Sequence, residues 1–118
     1  MHNFKKLKVW NNSVDLAVEI YQLTKDFPND EKFGLISQMR RAAVSISSNI
    51  AEGTARRTSK DFNSFLAIAV GSAFELETQL IISSKLEYIK SEKYNLVHEY
   101  LEEIQRMIVG LQNKISHN

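Results

Sequence analysis

The sequence predicts an all-α protein whose helices form an antiparallel up-and-down four-helix bundle. Apolar residues recur at spacings of three and four in four long segments, which is the period of one helix face. The connections between these segments are short, and no segment alternates in the manner of a strand. We therefore expect a single domain over residues 1–118, with helices at roughly 10–27, 31–52, 59–88 and 91–114.

The first helix is predicted from Trp10 to Phe27 and ends at the segment DFPND. Pro28 disfavours helical geometry at the residue that precedes it, so the helix should stop there. Asn29 or Asp30 can then accept a hydrogen bond from the free N–H groups of the next helix. The first connection is therefore predicted to be a tight, capped turn.

The second helix is predicted to bury a stripe of apolar residues and to end at a glycine. The stripe consists of Leu35, Met39, Ala42 and Ile46. Gly53 follows the last periodic residue, and glycine adopts the left-handed conformation that ends many helices without steric cost. We therefore expect Gly53 just past the end of this helix.

The third and fourth helices carry the longest apolar patterns. Thr58 or Ser59 is the expected cap of the third helix, and Asp61 is favourable in its first turn. Its main stripe alternates steps of four and three, as knobs-into-holes packing requires: Phe62, Leu66, Ala69, Ala73, Leu76, Leu80 and Ser83. The fourth helix has the stripe Val97, Leu101, Ile104, Ile108, Leu111 and Ile115 and an acidic outer face.

Composition limits the classes of function. The sequence contains no cysteine, which excludes disulfides, thiolate zinc sites and cysteine nucleophiles. The N-terminus has basic residues without an apolar region after them, and no uninterrupted apolar run approaches the roughly 20 residues that span a bilayer. We therefore expect a cytoplasmic protein without a membrane segment. The formal net charge of +1 means that any attraction to polyanions depends on where the charges lie.

The third helix is apolar or small around about three-quarters of its circumference, more than one bundle requires. Its small residues, including Gly71, would let another backbone approach closely, and Phe74 lies on a second apolar stripe beside the core. Excess apolar helix surface is typical of an interface, so we expect a closed homo-oligomer. The alternative is one tightly packed bundle in which the small residues only set the helix spacing.

Two carboxylates interrupt this apolar helix. Glu75 and Glu77 need a cation or several hydrogen bonds if they are buried and charged. Arg40, at the edge of the second apolar stripe, is one candidate partner, within or between subunits. The alternative for Arg40 is a ligand-facing role.

Basic residues concentrate in the middle of the sequence. Between Gln38 and Lys60 they are Arg40, Arg41, Arg56, Arg57 and Lys60, against the single acid Glu52. The guanidinium groups of arginines beside a helix N-terminus can bind phosphate oxygens in pairs. We call these five basic residues the basic edge and consider it a candidate nucleic-acid interface. Its binding would follow the phosphate backbone and depend on salt. The alternatives are ion pairs in the assembly or an ordinary solvated loop, and the lysines of KKLK either extend the surface or belong to a frayed end.

Catalytic patterns are weak. The histidines, His2, His98 and His117, form no i, i+4 pair, and no Glu-x-x-His motif occurs. His98 is expected to be solvated on the last helix, and Glu75 and Glu77 are two residues apart and point away from each other. EGTARR is not a phosphate-cradling loop. We expect no enzyme activity, no metal site and no cofactor.

The segments SQMRRAAVSISSNIAEG and GSAFELETQL, together with the pattern W…Y.L…FP before them, resemble a bacterial four helix bundle family. This family is known as the 23S rRNA intervening-sequence protein family and also carries a ribosomal protein name. The resemblance extends from Trp10 to about Ile89. The family's motif arginines map onto Arg40, Arg41 and Arg57, and its glycine maps onto Gly53.

The resemblance implies an up-and-down protomer that commonly forms a homopentamer with a central opening. Members are encoded within intervening sequences of large-subunit rRNA genes or stand alone. Related proteins are accessory factors to the reverse transcriptases of diversity-generating retroelements. We therefore expect a non-enzymatic oligomer that binds rRNA, another structured RNA or a ribonucleoprotein through Arg41, Arg56, Arg57 and Lys60. The alternative is a scaffold for a protein partner, with no direct contact to nucleic acid.

Overall fold

The computed structural model describes residues 3–116, which form four α-helices and no strand. The helices are α1 (Lys8–Thr24), α2 (Ser37–Thr54), α3 (Ser59–Lys85) and α4 (Ser91–Ser116). Each helix packs on the next along the chain, and α4 packs back on α1, so the predicted antiparallel bundle is confirmed. The bundle is a rod of 45 × 24 × 20 Å.

The core lies along the axis of the rod and contains most of the residues of the predicted stripes, although Leu35 and Leu111 are only half-buried. Every member of the main α3 stripe is buried, including the polar Ser83, whose hydroxyl donates to the backbone oxygen of Gln79 at 2.8 Å. The fully buried large side chains from the other helices are Leu16, Ile20, Met39, Ile46, Ile50, Leu101, Ile104 and Ile108. The driving force is the removal of this apolar surface from water.

The connection between α1 and α2 is longer than the sequence predicts. Helix α1 ends at Thr24, a short 3-10 turn covers Asn29–Glu31, and a wide helical turn covers Lys32–Ile36. Gly34 has non-helical angles (φ −108°, ψ −115°), which separate this turn from α2. Neither Asn29 nor Asp30 provides the predicted cap, because the side chain of Glu31 accepts the N–H of Leu35 at 3.2 Å instead.

Gly53 does not have the role that the sequence predicts. It lies inside the last turn of α2, and no glycine among residues 3–116 has a positive φ. A Cβ atom at this position would lie 2.9 Å from Cδ1 of Phe62 and 3.0 Å from Cβ of Phe65. The glycine is therefore explained by the close approach of α3 and not by a left-handed helix end.

Both ends of α3 follow local hydrogen-bond chemistry. Thr58 is the cap, as predicted: its hydroxyl oxygen accepts the N–H of Asp61 at 3.1 Å. At the other end Glu87 has φ 63°, and the N–H of Tyr88 donates to the carbonyl of Ser83 at 2.9 Å. This hydrogen bond and the left-handed residue form a Schellman-type ending, which here occurs without glycine and stops α3 three residues before the predicted end.

Candidate functional site

The antiparallel order brings four chain segments to one end of the bundle: the start of α1, the end of α2, the start of α3 and the end of α4. Asn63 Nδ2 donates to Ser116 Oγ at 2.7 Å, which joins the start of α3 to the end of α4. Exposed cations cluster there, and we call this set the basic end: Lys5, Lys6, Lys8, Arg56, Arg57, Lys60 and Lys114. The acidic residues of these segments are Glu52 and Asp61, so the end is positive although the sequence is nearly neutral.

Three of the predicted residues lie where α2 meets α3: Arg56 and Arg57 in the turn, and Lys60 in the first turn of α3. The guanidinium carbon of Arg56 lies 4.4 Å from the centroid of the Phe65 ring, a cation–π contact that orients the side chain. Arg57 and Lys60 are exposed beside it. The start of α3, capped by Thr58, adds the partial positive charge of its free N–H groups.

Arg41 is not part of this group within one chain. It lies near the start of α2, about 20 Å along the helix axis from the basic end. There it is exposed and borders a shallow groove with Lys32, Phe33 and Val44. The sequence prediction of one continuous basic edge is therefore wrong for a single chain, because α2 separates residues that are close in sequence.

Arg40 contacts α1 and not the carboxylates of α3. Its Nε donates to Thr24 Oγ1 at 2.9 Å, and its Nη2 donates to the backbone oxygen of Tyr21 at 3.2 Å. The guanidinium carbon also lies 4.6 Å from the Tyr21 ring centroid. Arg40 therefore joins the C-terminal turn of α1 to α2, and its predicted ion pair with Glu75 or Glu77 is not formed within the chain.

The carboxylate of Glu77 is held by α4. Its Oε2 lies 2.8 Å from Nε2 of His98, and its Oε1 accepts a hydrogen bond from Gln105 Nε2 at 3.1 Å. Nδ1 of His98 lies 3.5 Å from Oε1 of Glu102, one turn further along α4. His98 is therefore mostly shielded between two helices, and the prediction of a solvated histidine is wrong.

Tyr94 covers the other side of His98. The two rings are stacked, with centroids 5.3 Å apart and an interplanar angle of 21°. Burial raises the pKa of the Tyr94 phenol, and the charges of Glu77 and Glu102 raise it further. His98 is therefore surrounded by two carboxylates and a half-buried phenol.

The outward-facing side of α3 is largely apolar and is not covered by any other part of residues 3–116. We call it the outer face of α3: Ala67, Ile68, Gly71, Phe74, Glu75, Thr78, Ile81 and Ile82. Phe74 is 52% exposed and Ile68 is 51% exposed. A Cβ atom on Gly71 would meet no atom within 4 Å, so packing inside the chain does not explain this glycine. Glu75 is exposed and accepts only a long hydrogen bond from Gln79, at 3.4 Å.

Among the described helices, α3 is the one whose length and composition would allow it to cross a membrane. The mean hydropathy of its most apolar window is 1.5, and a core helix of a soluble protein passes the same test. Ser72 on α3 bonds to Ser45 on α2 at 2.9 Å, and Glu77 bonds to α4. These polar contacts on two sides are those of a helix within a bundle.

The family model described as 23S rRNA-intervening sequence protein matches residues 5–110 of the chain. The chain belongs to this family. The match also covers most of α4, which the motif resemblance does not reach.

A solved structure of a similar protein supports the fold. It is the crystal structure of a protein from the S23 ribosomal protein family of Bacteroides thetaiotaomicron, described as having unknown function. The identity is 31% over 89% of this chain and 95% of that chain, with a TM-score of 0.82. No curated protein sequence matches the chain. Neither the family description nor this relative names a catalytic activity.

Proposed function

We propose that this member of the 23S rRNA-intervening sequence protein family is a non-enzymatic RNA-binding protein of the cytoplasm. The basic end would contact phosphate groups of rRNA or another structured RNA. The observation that carries the proposal is the collection of cations from four chain segments at one end of a nearly neutral molecule. Such a local field attracts a polyanion where the total charge would not.

The proposed binding is directed to the RNA backbone. Arg57 and Lys60 are exposed, and Arg56 is oriented by Phe65, so all three can reach phosphate oxygens. A shallow hollow lined by Lys60, Asn63 and Ser116 lies beside these cations. Phosphate contacts by themselves carry no sequence information. We therefore expect recognition of RNA shape and charge density.

We further propose that the protein is a homo-oligomer, with the pentamer of related proteins as the expected state. The support is the outer face of α3, where large apolar side chains and an unexplained glycine share one helix surface. Soluble proteins rarely leave such a face uncovered. In a closed ring, the basic ends of all subunits would repeat around one axis, which multiplies the phosphate contacts available to one RNA.

The test of RNA binding compares two double variants with the same loss of charge. Arg57→Gln with Lys60→Gln removes cations from the basic end, and Lys25→Gln with Lys90→Gln removes them from the opposite end. Labelled rRNA fragments are titrated at about 50 and about 200 mM salt. We expect steep weakening with salt for the wild type, since each phosphate contact contributes about 0.9 to the logarithmic slope for a duplex.

The first double variant should bind weakly, and its salt slope should be smaller by about two for each chain that contacts RNA. The second should bind like the wild type. If no protein binds, or if both variants bind equally, the basic end is not an RNA interface. The scaffold alternative then becomes the better explanation, with the outer face of α3 open to a protein partner.

The test of assembly is the mass in solution by light scattering. Phe74→Glu places a charge in the centre of the outer face, whereas Leu96→Glu makes the same kind of change on α4. We expect a multiple of the chain mass for the wild type and Leu96→Glu, and a monomer for Phe74→Glu. A monomeric wild type at micromolar concentration would refute the oligomer.

A further inference from the structure

Glu77, His98 and Glu102 converge from two helices on one point at the surface between α3 and α4. One ring nitrogen of His98 and one carboxylate oxygen from each glutamate lie within 4.8 Å of one another. His98 and Glu102 are one helical turn apart on α4, and Glu77 reaches them from α3. The cluster depends on the packing of these helices and does not exist in either helix alone.

The arrangement offers a cation a nitrogen and two carboxylate oxygens as ligands. Both ring nitrogens of His98 face carboxylate oxygens, at 2.8 Å for Glu77 and 3.5 Å for Glu102. A neutral imidazole has one N–H, so its other nitrogen would direct a lone pair at a carboxylate. A metal ion bound to a ring nitrogen and to the carboxylates would relieve this repulsion.

The surroundings orient the side chains of the cluster and leave it open to an ion. Gln105 donates to Oε1 of Glu77 and leaves Oε2 directed at His98, which is how outer hydrogen bonds orient a metal-binding carboxylate. Tyr94 stacks on His98 and fixes the ring plane. Side chains of Glu77 and His98 are 23% and 22% exposed, so the site is shielded but still open to an ion from solvent.

We propose that Glu77, His98 and Glu102 bind a first-row divalent metal ion, with Zn²⁺ as the probe that fits best. One imidazole nitrogen and two carboxylate oxygens are a mixed donor set that Zn²⁺ accepts, whereas Mg²⁺ prefers oxygen ligands alone. Ligand atoms around a tetrahedral Zn²⁺ lie about 3.4 Å apart. Contraction of the cluster to that size requires the glutamate side chains to rotate toward one ring nitrogen.

Three protein ligands leave one position for water. The bound ion would link α3 to α4 and so stabilise the helix that carries the outer face. The three ligands lie outside the basic end, so binding of the ion would not depend on RNA.

The experiment uses the full chain without an affinity tag. The protein is treated with a chelator, dialysed, and titrated with Zn²⁺ or Mg²⁺ by calorimetry, followed by urea unfolding at each metal concentration. We expect one Zn²⁺ per chain and little response to Mg²⁺. At free Zn²⁺ 100 times above its Kd, the unfolding equilibrium constant should fall about 100-fold. Co²⁺ in place of Zn²⁺ should give the visible absorption of a four-coordinate ion.

Variants assign the ligands. His98→Gln should abolish Zn²⁺ binding, and Glu102→Gln, a change of one atom on a more exposed side chain, should weaken it at least about 10-fold while the protein remains folded. His98→Gln also removes a partner of Glu77, so it is the variant more at risk of misfolding. If His98→Gln is insoluble, the Zn²⁺ affinity of Glu102→Gln tests the proposed ligands.

Terminal histidines are the main source of a false signal. His2 and His117 lie outside the described residues, and the double variant His2→Ala with His117→Ala should bind Zn²⁺ like the wild type. Less than one-tenth of an equivalent bound by the wild type, unchanged binding in Glu102→Gln, or loss of binding with the terminal histidines would each overturn the proposal.

Discussion

Replacement of Gly53 by alanine tests whether close helix packing explains this glycine. Ordinary contacts of a Cβ atom begin at 3.4 Å, and the new methyl group would lie 2.9 Å from Phe62 Cδ1 and 3.0 Å from Phe65 Cβ. Phe62 is buried and cannot swing into solvent. The Cβ of Phe65 is fixed to the backbone, so α2 and α3 must separate by several tenths of an ångström.

Two opposing effects set the magnitude. Overpacking of a tight contact costs about 1–3 kcal/mol. Alanine is favoured over glycine inside a helix by about 1 kcal/mol. We expect the overpacking to prevail and the free energy of unfolding to fall by about 1 kcal/mol.

Gly110→Ala is the matched control. Gly110 also lies inside a helix, but a Cβ atom there would meet nothing within 4 Å. This variant should be stabilised by about 0.5–1 kcal/mol through helix propensity alone. Urea unfolding followed by circular dichroism, at one protein concentration, measures both variants. A Gly53→Ala protein as stable as Gly110→Ala would refute the packing argument.

Three further predictions concern single contacts. Arg40→Lys should lower the free energy of unfolding by about 1–2 kcal/mol, because lysine cannot keep both hydrogen bonds and the contact with the Tyr21 ring. Urea unfolding measures this change, and an unchanged midpoint would contradict the role of Arg40. Glu87→Gly should stabilise the protein by about 0.5–1 kcal/mol in the same assay, since Glu87 has a left-handed backbone conformation that is strained for a residue other than glycine. A loss of stability would contradict this explanation of the helix end. Burial raises the pKa of the Tyr100 phenol, and the charges of Asp15 and Glu103 raise it further. The neutral phenol therefore stabilises the folded state below the unfolded pKa of about 10, and this stability is lost as the pH rises through the higher pKa of the folded state. The stability difference between wild type and Tyr100→Phe should therefore shrink from pH 9 to 11, and a constant difference would contradict the assignment.

Hydrophobic periodicity predicted the four helices and the buried stripe of α3 because those features follow from one repeating pattern. The helix ends were harder to predict, since they depend on single residues. Glu87 ends α3 in a conformation usually taken by glycine, and Gly53 continues a helix that glycine often ends. In both cases the contacts of the folded chain outweigh the local preference.

Which residues of the candidate site lie close together also depends on the folded chain and not on local sequence. Arg41 and Arg56 are close in sequence but stand at opposite ends of α2, whereas the lysines of the N-terminal turn join Arg56 through the bundle topology. Whether those arginines bind RNA remains a prediction. His98 was missed because its contact with Glu77 depends on the register of α3 against α4, which periodicity does not determine. The spacing of His98 and Glu102 on one helix face was the available signal.

The basic end also determines how the molecule orients in an electric field. Its cations occupy one tip of a rod 45 Å long, while Glu99, Glu102 and Glu103 lie along the side, so a nearly uncharged protein has a dipole moment along its length. On a negatively charged chromatography resin we expect it to be retained more strongly than its net charge implies and to stand upright on the surface. The remaining length of the rod would then project away from the polyanion, with the outer face of α3 exposed along its side.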